Sequence, residues 1–246
     1  MWAFALLLQL FGQIPSARLD PSIVSYNSVM GACARNAAAL ALDLLGLLRD
    51  GRLQPTEITI TAAIKACASC QNWTRALALL EEMAEEKLSP NSITATAAIG
   101  ALKEAHLWRQ ALQALQKLRQ SGNVPNAVSF NAVISACERC GCWAQALRCY
   151  RTLEAMLLLP DDVTFNATMS ACEKGGRWEW ALHLLAEMRR SSPRLDVISF
   201  SVVISACGVM QWEKALWFLE EMRTDNVLPN MITDARAGSL LLCVDS

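Results

Sequence analysis

The sequence predicts an all-α solenoid of stacked helix-turn-helix repeats, and three ladders of residues predict it. Tryptophan recurs at Trp73, Trp108, Trp143, Trp178 and Trp212, at spacings of 35, 35, 35 and 34 residues. An Ala-Leu pair recurs six times, at Ala41-Leu42, Ala76-Leu77, Ala111-Leu112, Ala146-Leu147, Ala181-Leu182 and Ala215-Leu216. Proline falls at Pro21, Pro55, Pro90, Pro125, Pro160 and Pro229, so six of the eight prolines share one register. A fixed period of this length marks a repeat array. A unit so small cannot bury its own apolar face and must stack on its neighbours.

Framing each unit just after the residue that follows this proline divides the chain into six repeats, 23–56, 57–91, 92–126, 127–161, 162–196 and 197–230. Residues 1–22 read as the remnant of a preceding unit, and residues 231–246 as a frayed or truncated further one. The apolar run of residues 2–11, WAFALLLQLF, is about half the ~20 residues needed to span a bilayer. It lacks the cationic start of a secretory signal, and no Arg- and Ser-rich transit segment precedes it. It reads as a helix whose partner lies upstream or is missing.

Each repeat reads as two helices. The first is expected to start at Ser25, Thr59, Thr94, Ser129, Thr164 and Ser199, whose hydroxyls are suited to cap unpaired backbone N–H groups of the first turn. In repeat four Phe130, Ile134 and Cys137 follow at helical spacing. One position is alanine in all six units (Ala32, Ala66, Ala101, Ala136, Ala171, Ala206), which lets two helix backbones approach closely. The second helix carries its apolar stripe at Trp178, Ala181, Leu182, Leu185 and Met188 in repeat five. The proline near each repeat's end is expected to stop it.

Composition narrows the function. Of 246 residues 53% are hydrophobic and only 18% charged, which excludes general disorder and suits units covered on two sides. The net charge of -1 excludes a strongly basic surface on average and leaves room only for a local stripe. Ten cysteines are too sparse for a disulfide-dense scaffold. Cys67-x-x-Cys70 and Cys137-x-x-Cys140-x-Cys142 have the look of zinc half-sites. Yet Cys33, Cys67, Cys137, Cys172 and Cys207 share one repeat position, so core packing is expected and no metal or cofactor is assigned. Cys149 falls on a second helix and Cys243 in the tail. His106 and His183, the only histidines, are read as a turn residue and a helix residue without catalytic work. The cluster Glu81, Glu82, Glu85 and Glu86 is read as an exposed outer face, and Trp180 and Trp217 as packing residues of second helices. With no H-x-E paired to a downstream P-C-x-x-C, no enzymatic activity is expected.

The tetratricopeptide signature W-x2-L-G-x2-Y is missing. What stands instead is Val128-Ser129-Phe130-Asn131-Ala132-Val133-Ile134-Ser135-Ala136-Cys137, closed by Pro160-Asp161, with similar blocks at Val24-Ser25-Tyr26-Asn27 and Val163-Thr164-Phe165-Asn166. This resembles the pentatricopeptide repeat family, with plain 35-residue P-class units, over residues 23–230.

The resemblance implies a right-handed superhelix that binds single-stranded RNA along its concave face at about one base per repeat. In the family the fifth and last residues of a repeat choose the base, and the second wedges against it. Those fifth and last pairs are Asn27 with Thr56, Thr61 with Asn91, Thr96 with Asn126, Asn131 with Asp161, Asn166 with Asp196 and Ser201 with Asn230. The second residues are Val24, Ile58, Ile93, Val128, Val163 and Ile198. By the family's code Asn with Asp resembles a uridine reader, Thr or Ser with Asn an adenosine reader, and Asn with Thr a weaker pyrimidine pair, which spells 5′-YAAUUA-3′. Short polar side chains at these places can converge on one base edge. A capping and turn-forming role alone accounts for their polarity, but not for Asn alternating with Thr or Ser. Arg35, Lys65, Lys103, Arg139 and Lys174 are candidates for phosphate contact, with Glu104, Glu138 and Glu173 interleaved and Val209 at the sixth place. The resemblance also implies work on an organellar transcript, in chloroplast or mitochondrion. The other reading is a protein-interaction scaffold whose groove holds a peptide or helix. No membrane and no small-molecule substrate is expected as partner.

Overall fold

The computed structural model describes residues 22–33, 38–51, 53–86, 88, 91–104, 106–120, 122–191, 195–208, 211–224 and 227–228, without the side chains of Ala84, Glu104 and Trp212. The terminal segments, Pro21, Arg35, Pro90, Val209, Pro229, Asn230 and Cys243 lie outside the described residues. Among the described residues every regular element is helical. The helices are α1 (Ile23–Cys33), α2 (Ala38–Asp50), α3 (Glu57–Ser69), α4 (Trp73–Glu85), α5 (Ser92–Glu104) and α6 (Trp108–Gln120). They continue as α7 (Ala127–Arg139), α8 (Trp143–Ala155), α9 (Asp162–Lys174), α10 (Trp178–Ser191), α11 (Val197–Cys207) and α12 (Trp212–Thr224). No described helix is long and apolar enough to cross a membrane. The all-α helical-repeat class is the one expected from the ladders.

The chain divides into two compact units: one of residues 1–105 with 113–124, the other of residues 106–112 with 125–246. Within the first, α1, α3 and α5 pack side by side, α2 sits against α1 and α3, and α4 against α3 and α5. Within the second, α7, α9 and α11 form the row, with α8 against α7 and α9, and α10 against α9 and α11. The first helix of a repeat is thus covered on more sides than the second. Its sequence answers with small and medium residues: Ile60, Ala63, Ile64, Ala66 and Cys67 of α3 and Phe130, Ile134, Ala136 and Cys137 of α7 are fully buried. The recurring alanine is fully buried at Ala66, Ala101, Ala136 and Ala171, exposed at Ala32 and half-buried at Ala206. On α10 the buried stripe is Ala181, Leu184, Leu185 and Met188.

Two expectations about helix ends are corrected. The Ser/Thr ladder does not supply the caps, because each first helix begins two residues earlier. The caps are Thr56, Asn126, Asp161 and Asp196, which stand in extended backbone and accept from the N–H of Thr59, Ser129, Thr164 and Ser199 respectively. The ladder residues sit at the third helical position, where Thr59 and Thr164 complete capping boxes. Nor does proline stop the second helix: α8 ends at Ala155, before Pro160. After α8 the stop is the left-handed Leu157, followed by an N–H that reaches five residues back, the closure that satisfies orphan terminal carbonyls. Leu158 donates to Leu153 O at 3.2 Å, Leu53 to Leu48 O at 3.1 Å and Leu88 to Met83 O at 2.9 Å. The first helices close alike, with Asn72, Cys142 and Arg177 donating to Cys67, Cys137 and Cys172 at 2.8–2.9 Å. Gly141 and Gly176 supply φ of +65° at this bend, but Gln71, at +58°, has no such freedom.

Candidate functional site

At four junctions between repeats the start of a first helix brings three polar residues from two repeats into contact. In the fourth junction Asn131, on the first turn of α7, donates through Nδ2 to both carboxylate oxygens of Asp161 at 3.0 and 3.1 Å. The hydroxyl of Thr164, on α9, lies 2.6 Å from Asn131 Oδ1 and 2.7 Å from Asp161 Oδ1. The next junction repeats the triangle: Asn166 Nδ2 donates to Asp196 Oδ2 at 3.3 Å, and Ser199 Oγ lies 2.9 Å from Asn166 Oδ1 and 2.7 Å from Asp196 Oδ1.

The first unit carries neutral versions. Thr59 donates to Asn27 Oδ1 at 2.6 Å, while Asn27 Nδ2 is 3.5 Å from Thr56 Oγ1. At the following junction the Thr94 hydroxyl lies 2.6 Å from Thr61 Oγ1 and 2.8 Å from Asn91 Oδ1, its one hydrogen shared between them. Thr61 also donates to Glu57 O at 2.6 Å, as Thr96 does to Ser92 O and Ser201 to Val197 O. Asn126 caps α7 through Ser129, whose hydroxyl donates to it at 2.9 Å.

These contacts dictate what each pair offers a ligand. With Asn131 Oδ1 engaged by Thr164, its Nδ2 keeps one hydrogen beyond the bond to Asp161, and the carboxylate keeps spare lone pairs. A donor beside an acceptor results. Burial raises the Asp161 pKa, but hydrogen bonds from the Thr164 hydroxyl and backbone N–H and from Asn131 outweigh it, leaving the carboxyl below its ordinary value. Where a hydroxyl replaces Asn, its hydrogen is directed to the helix backbone, which leaves an oxygen acceptor beside the amide of Asn91.

The neighbours of the triangle face opposite ways. The third-position hydroxyls of Thr59, Thr94, Ser129, Thr164 and Ser199 are fully buried. One residue earlier, Val24, Ile58, Ile93, Val128, Val163 and Ile198 are 57–67% exposed. Six aliphatics held in water beside a polar pair form flat apolar shoulders. Of the candidate cations, Lys65 and Arg139 are exposed and Lys103 is half-buried, whereas Lys174 is bound to Glu138 at 2.6 Å.

Other candidates fall elsewhere. Cys33, Cys67, Cys137, Cys172 and Cys207 are buried free thiols, and Cys149 is buried on α8. Cys70 and Cys140 are exposed, the latter donating to His106 O at 3.2 Å. Among the described residues no three His, Cys, Asp or Glu side chains gather as a metal site. His106 occupies a turn at φ +59°, and His183 lies 3.5 Å from Glu187. The acidic cluster does more than face water: Glu82 and Glu86 receive Arg49 of α2 at 3.0 and 3.1 Å, and Glu81 receives Lys117 of α6 at 3.4 Å. Trp180 and Trp217 differ from the packing expectation. Both are exposed, Trp180 with the Arg151 guanidinium 6.0 Å above its ring. Spacing alone did not reveal that exposure.

The third-position hydroxyl as a bridge across two repeats was not legible in the sequence, because it binds partners 33 residues away. Its signal was the unbroken Ser/Thr ladder.

Comparison with known proteins gives a consistent picture. The profile described as "Pentatricopeptide repeat-containing protein" matches residues 25–153, that of the "PPR repeat family" residues 160–209, and that of the "PPR repeat" residues 198–227. No curated protein matches the chain. Among solved structures, the pentatricopeptide repeat protein PPR10 from maize is 26% identical, with a TM-score of 0.68, over 95% of this chain and 34% of its own. PPR10 in complex with an 18-nt psaJ RNA element superposes at a TM-score of 0.77 and 20% identity, over the same shares. Nuclear proteinaceous RNase P 2 from A. thaliana reaches 0.68 at 13% identity, over 75% of this chain and 42% of its own. The chain thus spans about a third of the length of PPR10.

Proposed function

Because this chain belongs to the pentatricopeptide repeat family, we propose that it binds single-stranded RNA, one base to each repeat, through its fifth and last residues. The observation that carries the reading is the recurring contact between these two residues, 29 or 30 positions apart, at the edge of an exposed aliphatic. Similarity to PPR10, solved with an RNA element, supports it.

The chemistry of each pair suggests its base. A donor from Asn131 beside an acceptor from Asp161 complements the O4 and N3–H of uracil, and Asn166 with Asp196 does the same. The Thr61 acceptor beside the Asn91 amide complements the amino group and N1 of adenine. Extended to all six pairs, the target is 5′-YAAUUA-3′. Val128, Val163 and their equivalents hold each base by apolar contact. Lys65, Lys103 and Arg139 are phosphate contacts in this reading, whereas Lys174 is partly neutralised by Glu138. The protein acts without catalysis, by occluding a stretch of an organellar transcript from nucleases or from pairing.

Fluorescence anisotropy with RNA containing 5′-CAAUUA-3′, a scrambled RNA and the same sequence as DNA tests this at low and physiological salt. Preferential binding of the first RNA is expected, with N131T and N166T moving the two U positions towards G. Absence of binding at low salt, or equal binding to every strand, would overturn it and favour a peptide or helix in the groove.

A further inference from the structure

We infer that the third-position hydroxyl of the following repeat, typified by Thr164 and Thr59, is a specificity-setting positioning residue for the base-reading pair. The inference rests on the RNA reading proposed above. Thr164 belongs to neither member of the pair, yet its hydroxyl lies within 2.6 Å of Asn131 Oδ1 and 2.7 Å of Asp161 Oδ1, so its one hydrogen is shared between the two oxygens. It is fully buried, so no water competes for those contacts.

An Asn amide turned by half a revolution about its terminal bond exchanges a donor for an acceptor at nearly the same place. The two faces would read opposite bases. With the carbonyl held by the hydroxyl, Asn131 can present only N–H outward, which suits a base oxygen and rejects an exocyclic amino group. Without the hydroxyl, the carbonyl loses a buried partner and gains by turning out towards an amino group, such as that of cytosine or adenine.

The junctions differ in how much else holds the amide. At Asn131 and Asn166 the carboxylates of Asp161 and Asp196 accept from Nδ2 and favour the same orientation. At Asn27 the only such partner among the described residues is the neutral Thr56 hydroxyl at 3.5 Å, against 2.6 Å for the bond from Thr59. The hydroxyl therefore sets the amide almost alone at the first junction and shares the task at the later ones. Where the fifth residue is Thr61, the Thr94 hydroxyl takes the same place.

The test measures selectivity rather than affinity, using the full chain and RNAs that differ at one base. In the unmodified protein, U is expected to be preferred over C at the fourth position, opposite Asn131. T164V, which keeps shape and loses the hydroxyl, should cut that preference about fivefold, the size of one modest hydrogen bond. T164S should hold it within about twofold of the unmodified protein. T59V should erase the preference for uracil over adenine at the first position. A purely structural role would lower the melting temperature and leave these ratios unchanged. If T164V loses helicity, S199A is read instead at the fifth position, where Ser199 contacts Asn166 at 2.9 Å. Unaltered ratios in the folded hydroxyl-free variants overturn the inference while base reading stands. No discrimination by the unmodified protein overturns both.

Discussion

Trp143 leaves no room for a side chain on Gly175, because a Cβ placed there would come within 2.2 Å of the indole Cδ1. The ring also carries the guanidinium of Arg177, whose carbon is 4.8 Å from the ring centroid. The second helix of one repeat is thereby seated on the turn of the next. This gives the tryptophan ladder a physical role: a large flat side chain starts the second helix and carries the following turn. G175A should destabilise the protein by about 1–3 kcal/mol, the usual cost of overpacking, read as a lower urea midpoint.

Leu157 makes the opposite case. It holds φ of +57°, where its counterpart one repeat earlier is Gly122 at +79°, and its side chain is 92% exposed. The left-handed conformation costs a branched side chain about 1–2 kcal/mol, and glycine's extra chain entropy returns about half of that. L157G should therefore stabilise the protein by about 0.5–1 kcal/mol, measured by the same denaturation.

The carboxyl of Asp161 gives a pH signature. Its pKa is lowered in the folded protein, so its contribution is fully present above its unfolded value and disappears as pH falls through the folded one. D161N should be less stable than the unmodified protein at neutral pH. The gap should narrow below the ordinary value of 3.8, as the carboxyl becomes uncharged like the amide. Thermal melts of the pair across that range check the sign.

Thiol reactivity should separate the cysteines into two sets. Burial pushes Cys137 and Cys172 up to about 12, and Cys149 up to about 11, so almost no thiolate is present at neutral pH. Cys70 and Cys140 are exposed and should take up a maleimide first. Mass spectrometry of the native protein should find Cys137, Cys149 and Cys172 unlabelled until denaturant is added.

The all-α class, the burial of the cysteine position and the burial of the alanine position in the four inner repeats were legible from periodicity, since residues a fixed interval apart meet the same surroundings in a stacked array. The helix boundaries were less so. A polar residue before the helix and a Ser or Thr three positions later look alike as caps, and only backbone angles separate Asp161 from Thr164. Pro160 did not stop the helix before it, which ends at Ala155. The left-handed Leu157 does so, against its own preference, because closure with Leu158 satisfies the final carbonyls.

By itself the sequence determined the period, the two helices of each repeat and the apolar stripes. These follow from local spacing, which the chain carries explicitly. Tertiary structure alone decided that Thr164 reaches Asn131 and Asp161 at once, that Glu82 and Glu86 close on Arg49, and that Trp180 and Trp217 face water. Those outcomes depend on how neighbouring repeats are rotated against each other. A contact across 33 residues exists only once the helices between its partners have packed.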